Sequence, residues 1–118
     1  MMRDLQVVVP FGDHRVSRAW QILHTNPKLN ARQVAKSVGL SESRLEHLIA
    51  EHTGTTIRAL KSKLKIERLH EARRQLLETT DTILDIRERA GYSYESNFIR
   101  DFKNLFSLTP AAFRRHGN

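Results

Sequence analysis

The stretch Thr82 to Arg115 constrains this chain most. Ile83 and Ile86 share one side of a short helical pattern that runs into Gly91. A second helical pattern follows from Ser93, with Phe98, Phe102 and Leu105 on its apolar side. Thr82 is placed to cap the first helix, with Asp85 at the reciprocal position, and Ser93 to cap the second. Tyr92 would plug the turn. Two short helices joined through a glycine are the grammar of a helix-turn-helix, whose second helix can enter a DNA major groove. Thr109-Pro110 then starts a last short helix, a cap followed by a proline whose missing donor costs nothing there. Phe113 would fold back on the core, and Arg114, Arg115 and His116 make a basic end.

The same grammar occurs earlier. Val34-Ala35-x-x-Val38-Gly39-Leu40-Ser41 is echoed by Ile86-Arg87-x-x-Ala90-Gly91-Tyr92-Ser93, at an offset of about 52 residues. Asn30 can cap the earlier copy, with Gln33 as its partner. Ala31, Val34, Ala35 and Val38 form an inner face, and Gly39 supplies a left-handed turn residue. Leu40 plugs the turn, Ser41 caps the next helix, and Leu45, Leu48 and Ile49 are that helix's core side. Ser43, Glu46, His47 and Ala50 fall opposite, with Arg44 at the flank, and Gly54 stops the helix. In the later copy Ser96, Ile99, Arg100 and Lys103 point outward, flanked by Glu95 and Asn97. Two plain helical hairpins of a bundle would give the same repeat; the outward polar positions and the net charge weigh against that.

Around the two copies the chain reads simply. Val16, Ala19, Trp20 and Leu23 put an apolar face on a first helix, His14 to Thr25, which Pro27 ends. Trp20, the only tryptophan, reads as a core anchor. Thr56 to Glu78 reads as one long helix with Ile57, Leu60, Leu64, Leu69, Ala72, Leu76 and Leu77 as apolar surface. Arg58, Lys61, Lys63, Lys65, Arg68, Arg73 and Arg74 make it basic. At 1.5 Å per residue it is roughly 34 Å long, close to one turn of duplex DNA. The expected organisation is an N-terminal arm or linker remnant over 1–13, a first lobe over 14–54, a linking helix over 55–79 and a second lobe over 80–118.

Composition narrows the function. The chain has 118 residues, and its 20 Lys and Arg against 13 Asp and Glu give a formal charge of +7. Such a balance points to a polyanion partner, nucleic acid first and an acidic membrane surface second. Without cysteine there is no disulfide framework, thiol nucleophile or zinc-thiolate site. No apolar run approaches a membrane span, so no membrane partner is expected and a cytoplasmic location follows. The six histidines, at 14, 24, 47, 52, 70 and 116, form no metal spacing. With no phosphate loop or nucleophile motif either, an enzyme, a metal site and a cofactor are not expected.

The sequence resembles the DNA-binding domain of the AraC/XylS family of bacterial transcription regulators. The resemblance is carried by Ile83-x-x-Ile86-x-x-x-Ala90-Gly91-Tyr92-Ser93-x-x-Ser96-x-Phe98-x-Arg100-x-Phe102-Lys103 and by Phe106-x-x-Thr109-Pro110-x-x-Phe113-Arg114. The first half matches more loosely, through Val34-Ala35, Gly39-Leu40-Ser41, Leu45 and Thr53-Gly54. The resemblance implies an all-α, homeodomain-like fold of about seven helices, with two helix-turn-helix lobes joined by a long linking helix. Three positions depart from the family's pattern. Arg87 stands where a small residue, usually Ala, lets the two helices meet, so its side chain must snorkel out or widen the crossing. Ser107 stands where a Gly is usual at the helix stop. The linking helix is about one turn, about 5.4 Å, longer than usual.

By the same resemblance, the reading positions fall on Ser43, Arg44, Glu46 and His47 in the first lobe and on Glu95, Ser96 and Arg100 in the second, with Lys103 beside them. Affinity would come mostly from phosphates, with natural seats at the helix starts near Ser41 and Ser93. Arg100 is the best single reader, because a guanidinium pairs bidentately with guanine. The first reader carries Glu42, Glu46 and Glu51 against Arg44 alone, so it is expected to read few bases or to bind at modest strength. Double-stranded DNA is the implied partner, and RNA polymerase a further candidate. Family members usually add a sensor or dimerisation domain, which Met1 to Asp13 is too short to hold. A stand-alone DNA-binding member or a fragment is therefore expected, with the oligomeric state open. The competing class is a helical protein- or RNA-interaction module that does not read DNA sequence.

Overall fold

The computed structural model describes residues 14–116, and the arm read over Met1–Asp13 lies outside them. The described residues form seven α-helices and no strand. In chain order these are α1 (His14–Thr25), α2 (Ala31–Ser37), α3 (Glu42–Thr53), α4 (Ile57–Glu78), α5 (Ile83–Arg89), α6 (Glu95–Phe106) and α7 (Pro110–His116). They divide into two compact units, with the boundary inside α4 between Leu64 and Lys65. The first half of α4 gives Ile57, Leu60 and Leu64 to one core, and the second half gives Leu69, Ala72 and Leu76 to another. Leu77, read as apolar surface with these, is 41% exposed and outside both cores.

In the first unit the cap chemistry follows the sequence. Asn30 Oδ1 accepts from Gln33 N (2.8 Å) and Gln33 Oε1 from Asn30 N (2.9 Å), a complete capping box. Gly39 turns the chain at φ 77°, and Leu40 N donates back to Ala35 O (2.9 Å). Ser41 Oγ accepts from Arg44 N (3.1 Å) and opens α3. Gly54, at φ 75°, closes it in the left-handed conformation. The core is aliphatic: Val16, Ala19, Leu23, Val34, Ala35, Val38, Leu45, Leu48, Ile49, Ile57 and Leu60. Trp20 sits on the margin of this core, half-buried, with its ring 4.9 Å from that of His24. Lys61 Nζ reaches from α4 to the carbonyls of Leu29 (2.8 Å) and Pro27 (3.4 Å), tying down the turn before α2.

The second unit keeps the plan and changes the materials. Its core is built on Phe98, Phe102 and Phe113 with Leu69, Ala72, Leu76, Ile86 and Ala90, and Tyr92 and Phe106 pack at its margin. The rings stack obliquely or edge-on, with Phe102 4.6 Å from Phe106 and 5.7 Å from Phe113. Thr82 caps α5 by accepting from Asp85 N (3.0 Å), and Thr109 Oγ1 accepts from Ala112 N (3.2 Å) at the start of α7. Arg114 lays its guanidinium across the end of α4, donating to the carbonyls of Asp81 (2.6 Å), Leu76 (3.1 Å) and Thr79 (3.1 Å).

Two expectations change here, and one departure from the family's pattern is accommodated. Ser93 does not cap α6. Tyr94 is the residue before the first turn and gives no side-chain cap bond, because the turn after Gly91 is one residue longer than the turn after Gly39. Leu105 is 39% exposed, and Phe106 takes the inner place, because α7 brings Phe113 against Phe106 while the space beside Leu105 opens to solvent near Ile66. Ser107 does make the left-handed stop expected of a glycine, at φ 72°, with its N–H on Lys103 O (2.8 Å). The end of α6 is thus closed at a steric cost a glycine would not carry.

Candidate nucleic-acid interface

Each unit presents one helix whose inner side is locked in a core and whose outer side is polar. On α3, burial of Leu45, Leu48 and Ile49 fixes the helix's rotation. Ser43, Arg44 and His47 are thereby exposed and Glu46 is half-exposed. His47 Nε2 lies 3.9 Å from Glu51 and Arg32 Nε lies 3.8 Å from Glu42. Glu42 therefore has a cationic side chain beside it, which offsets part of the repulsion of phosphates expected from the three acidic groups of this helix.

On α6, burial of Phe98 and Phe102 exposes Glu95, Ser96, Arg100 and Lys103. Arg100 is held although it is exposed: its Nε donates to Asp101 Oδ1 (3.0 Å) and its Nη1 to Asn97 Oδ1 (3.3 Å). Asp101 itself is mostly buried, with 14% of its side chain exposed. Its other oxygen accepts from Tyr92 OH (2.7 Å) and faces Lys65 Nζ at 3.5 Å. Burial alone would raise the Asp101 carboxyl; the hydrogen bonds from Tyr92 and Arg100 and the charge of Lys65 outweigh it and hold it below the ordinary carboxylate range. The Tyr92 hydroxyl is pushed up, first by burial and then by the carboxylate it donates to. Arg68 Nε donates to Ala90 O (3.2 Å) and pins the turn beneath this pair.

Arg87 lies between α5 and α6. It is half-buried, and its Nε is below the surface with no hydrogen-bond partner. It lines a groove of about 380 Å³ together with Leu84, Glu95, Phe98, Ile99 and Pro110. Its counterpart Ala35 is fully buried, and α2 and α3 pack more closely than α5 and α6. The long side chain thus loosens the helix crossing while its stem stays in the gap.

Comparison with known proteins bears on this arrangement. Residues 34–116 match the model of a family described as a helix-turn-helix domain. The chain is 34% identical over 95 residues to the probable transcription factor PqrA of Proteus vulgaris, covering 80% of this chain and 75% of that one. A solved transcriptional regulator of the AraC-type DNA-binding domain-containing proteins from Chromobacterium violaceum is 28% identical, with a TM-score of 0.55 over 86% of this chain and 89% of that one. The chain belongs to the AraC-type helix-turn-helix family. It is also 34% identical over 91 residues to the xylose operon regulatory protein of Escherichia coli. That match covers 77% of this chain, which spans 22% of that relative's length.

The family is one of DNA-binding transcription regulators. Among the described residues no helix is long and apolar enough to cross a membrane. The sequence pattern places Arg100 on the outer side of α6 but does not single out Asp101, Lys65 or the hydrogen-bonding role of Tyr92. A signal for them exists. Asp101 is a carboxylate three residues after the core residue Phe98, at the edge of an apolar face, opposite a basic helix and a tyrosine in the turn.

Proposed function

We propose that the chain binds double-stranded DNA with sequence preference, laying α3 and α6 into successive major grooves, and that it regulates transcription by doing so. One observation supports this in both units. A helix of 12 residues buries one side in its own core and carries hydrogen-bonding side chains along the other. The proposed contacts are Ser43, Arg44, Glu46 and His47 on α3, and Glu95, Ser96, Arg100 and Lys103 on α6. Arg100 is the proposed guanine reader, and the net charge of +7 supplies attraction to phosphates. The names of the relatives, a probable transcription factor and an operon regulatory protein, support the regulatory role, with RNA polymerase as the proposed second partner and the cytoplasm as the proposed location.

The test is a titration with a duplex selected from random DNA and with its scrambled counterpart, each at two salt concentrations. If 6 to 10 phosphates are engaged, affinity falls about 10³ to 10⁵-fold between 50 and 200 mM salt. Equal affinity for both duplexes at both salts would leave a helical interaction module in place of a sequence reader. Arg100→Ala is expected to cost about 1 to 3 kcal/mol and to relax preference at one base pair only. The extra turn read into α4 is proposed to shift half-site phasing or to require bent DNA; a footprint of ordinary spacing on straight DNA would refute it.

A further inference from the structure

Building on Arg100 as a base reader, we propose that Asp101 is a positioning residue: it holds the Arg100 guanidinium in the geometry that discriminates guanine, and Tyr92 and Lys65 hold Asp101. Arg100 has 62% of its side chain exposed, yet two of its donors are committed within its own helix, Nε to Asp101 Oδ1 (3.0 Å) and Nη1 to Asn97 Oδ1 (3.3 Å). A guanidinium carries five N–H donors in a fixed planar fork. Two are used here, and the remaining three suffice for a bidentate contact with the N7 and O6 of guanine. The fork enters the groove already oriented, so less rotamer freedom is lost on binding than for a mobile arginine.

The carboxylate can act as a fixed point because it is itself fixed. Tyr92 OH at 2.7 Å and Lys65 Nζ at 3.5 Å both occupy Oδ2, which leaves Oδ1 for Arg100. With 14% of its side chain exposed, Asp101 has little room to turn. The reader of the first unit lacks such a device. Leu48 stands at the position equivalent to Asp101, Leu40 at that of Tyr92, and His47 meets only Glu51, with both partners well exposed.

Arg100→Ala, Asp101→Asn and the unaltered protein are compared on a selected duplex and on its three single-base variants at the guanine that Arg100 reads. Loss of discrimination in Arg100→Ala establishes the reader; its persistence there on every base tested rejects Arg100 as the reader, whatever Asp101→Asn shows. Given that reader, Asp101→Asn is expected to lower discrimination at the same base pair by roughly tenfold, within the range one bidentate contact supplies. Affinity for scrambled DNA should not fall, since a negative charge has been removed. Unchanged discrimination in Asp101→Asn overturns the proposal. A measurement on the unaltered protein stands apart from any folding defect. The Arg100 Nε–H resonance should be resolved and slow to exchange with water, unlike that of Arg115, and an Arg100 signal that exchanges as fast as that of Arg115 overturns the proposal.

Discussion

Where the first unit lays Leu40 over a core that includes Leu48, the second puts Tyr92 and Asp101 in the matching places and joins them by a hydrogen bond. Where the first has Ala35 between the helices of the motif, the second has Arg87 with an unpartnered nitrogen. Where the first ends its reading helix on Gly54, the second ends on Ser107 in the same left-handed conformation. One backbone plan therefore accepts either material. The first unit is aliphatic, capped and, among its described residues, free of left-handed strain at non-glycine positions. The second replaces apolar contacts with polar ones next to its reading helix, tolerates strain, and relies on a ring cluster and on the reach of Arg114. Polar groups can hold a charged side chain such as Arg100 in one orientation, which an apolar contact cannot do; each must then be satisfied, or it costs stability.

That contrast can be broken most readily at two cations that tie down loops, one in each unit. Arg114→Ala should cost about 3 kcal/mol, since a charged donor is removed from several part-buried carbonyls at once, and amide exchange should rise in the second unit. Lys61→Ala, with two carbonyl contacts, should cost about 1 kcal/mol and affect the first. Equal losses would mean that the two ties are equivalent.

The helix stops give a smaller, opposite pair of effects. No atom lies within 4 Å of a Cβ built on Gly54, so Gly54→Ala carries only the backbone penalty, about 1 kcal/mol of lost stability. Ser107→Gly should gain about 0.5 kcal/mol, the relief of left-handed strain less the added freedom of the unfolded chain. Denaturant midpoints of the two variants should move in opposite directions; a shared sign would show that Ser107 gains something else from its place. Arg87→Ala should not destabilise, because it removes an unpartnered buried nitrogen and restores the small residue of the first unit. A fall in the melting temperature would show that the arginine stem contributes more by packing than its nitrogen costs.

The smallest effect expected is in acid. The folded carboxyl of Asp101 is held below its ordinary range, so its contribution is fully present above the unfolded value of about 4 and is lost as pH falls from there through the folded pKa. The second unit should therefore weaken below about pH 4 by an amount absent in Asp101→Asn. Tyr92 works at the other end. Its raised pKa means that its contribution is present below about pH 10 and is lost as pH rises beyond it.

Much of this fold was legible from local rules. The bounds of α1, the Asn30–Gln33 capping box and the left-handed turns at Gly39 and Gly91 depend on residues within four positions of each other, and there sequence pattern and structure agree. Of the expectations that changed, the inner place of Leu105 turned on a distant partner and the cap at Ser93 on the length of the turn. Leu105 and Phe106 are neighbours on one helix, and which of them packs against the core depends on where α7 brings Phe113. Ser93 carries a good capping side chain, but the turn runs one residue further and α6 begins after Tyr94.

The sequence by itself determined that two copies of a short helix, a turn and a reading helix would form, which side of each reading helix would be polar, and which family the chain resembles. Those properties follow from periodicity and turn chemistry, which act over a few residues. Tertiary structure alone decided that Asp101, Tyr92, Lys65 and Arg100 meet at hydrogen-bonding distance. The side chains of Lys65 and Asp101 come from helices 36 positions apart in the chain, and only packing of the ring cluster sets α6 against α4 at the distance that joins them.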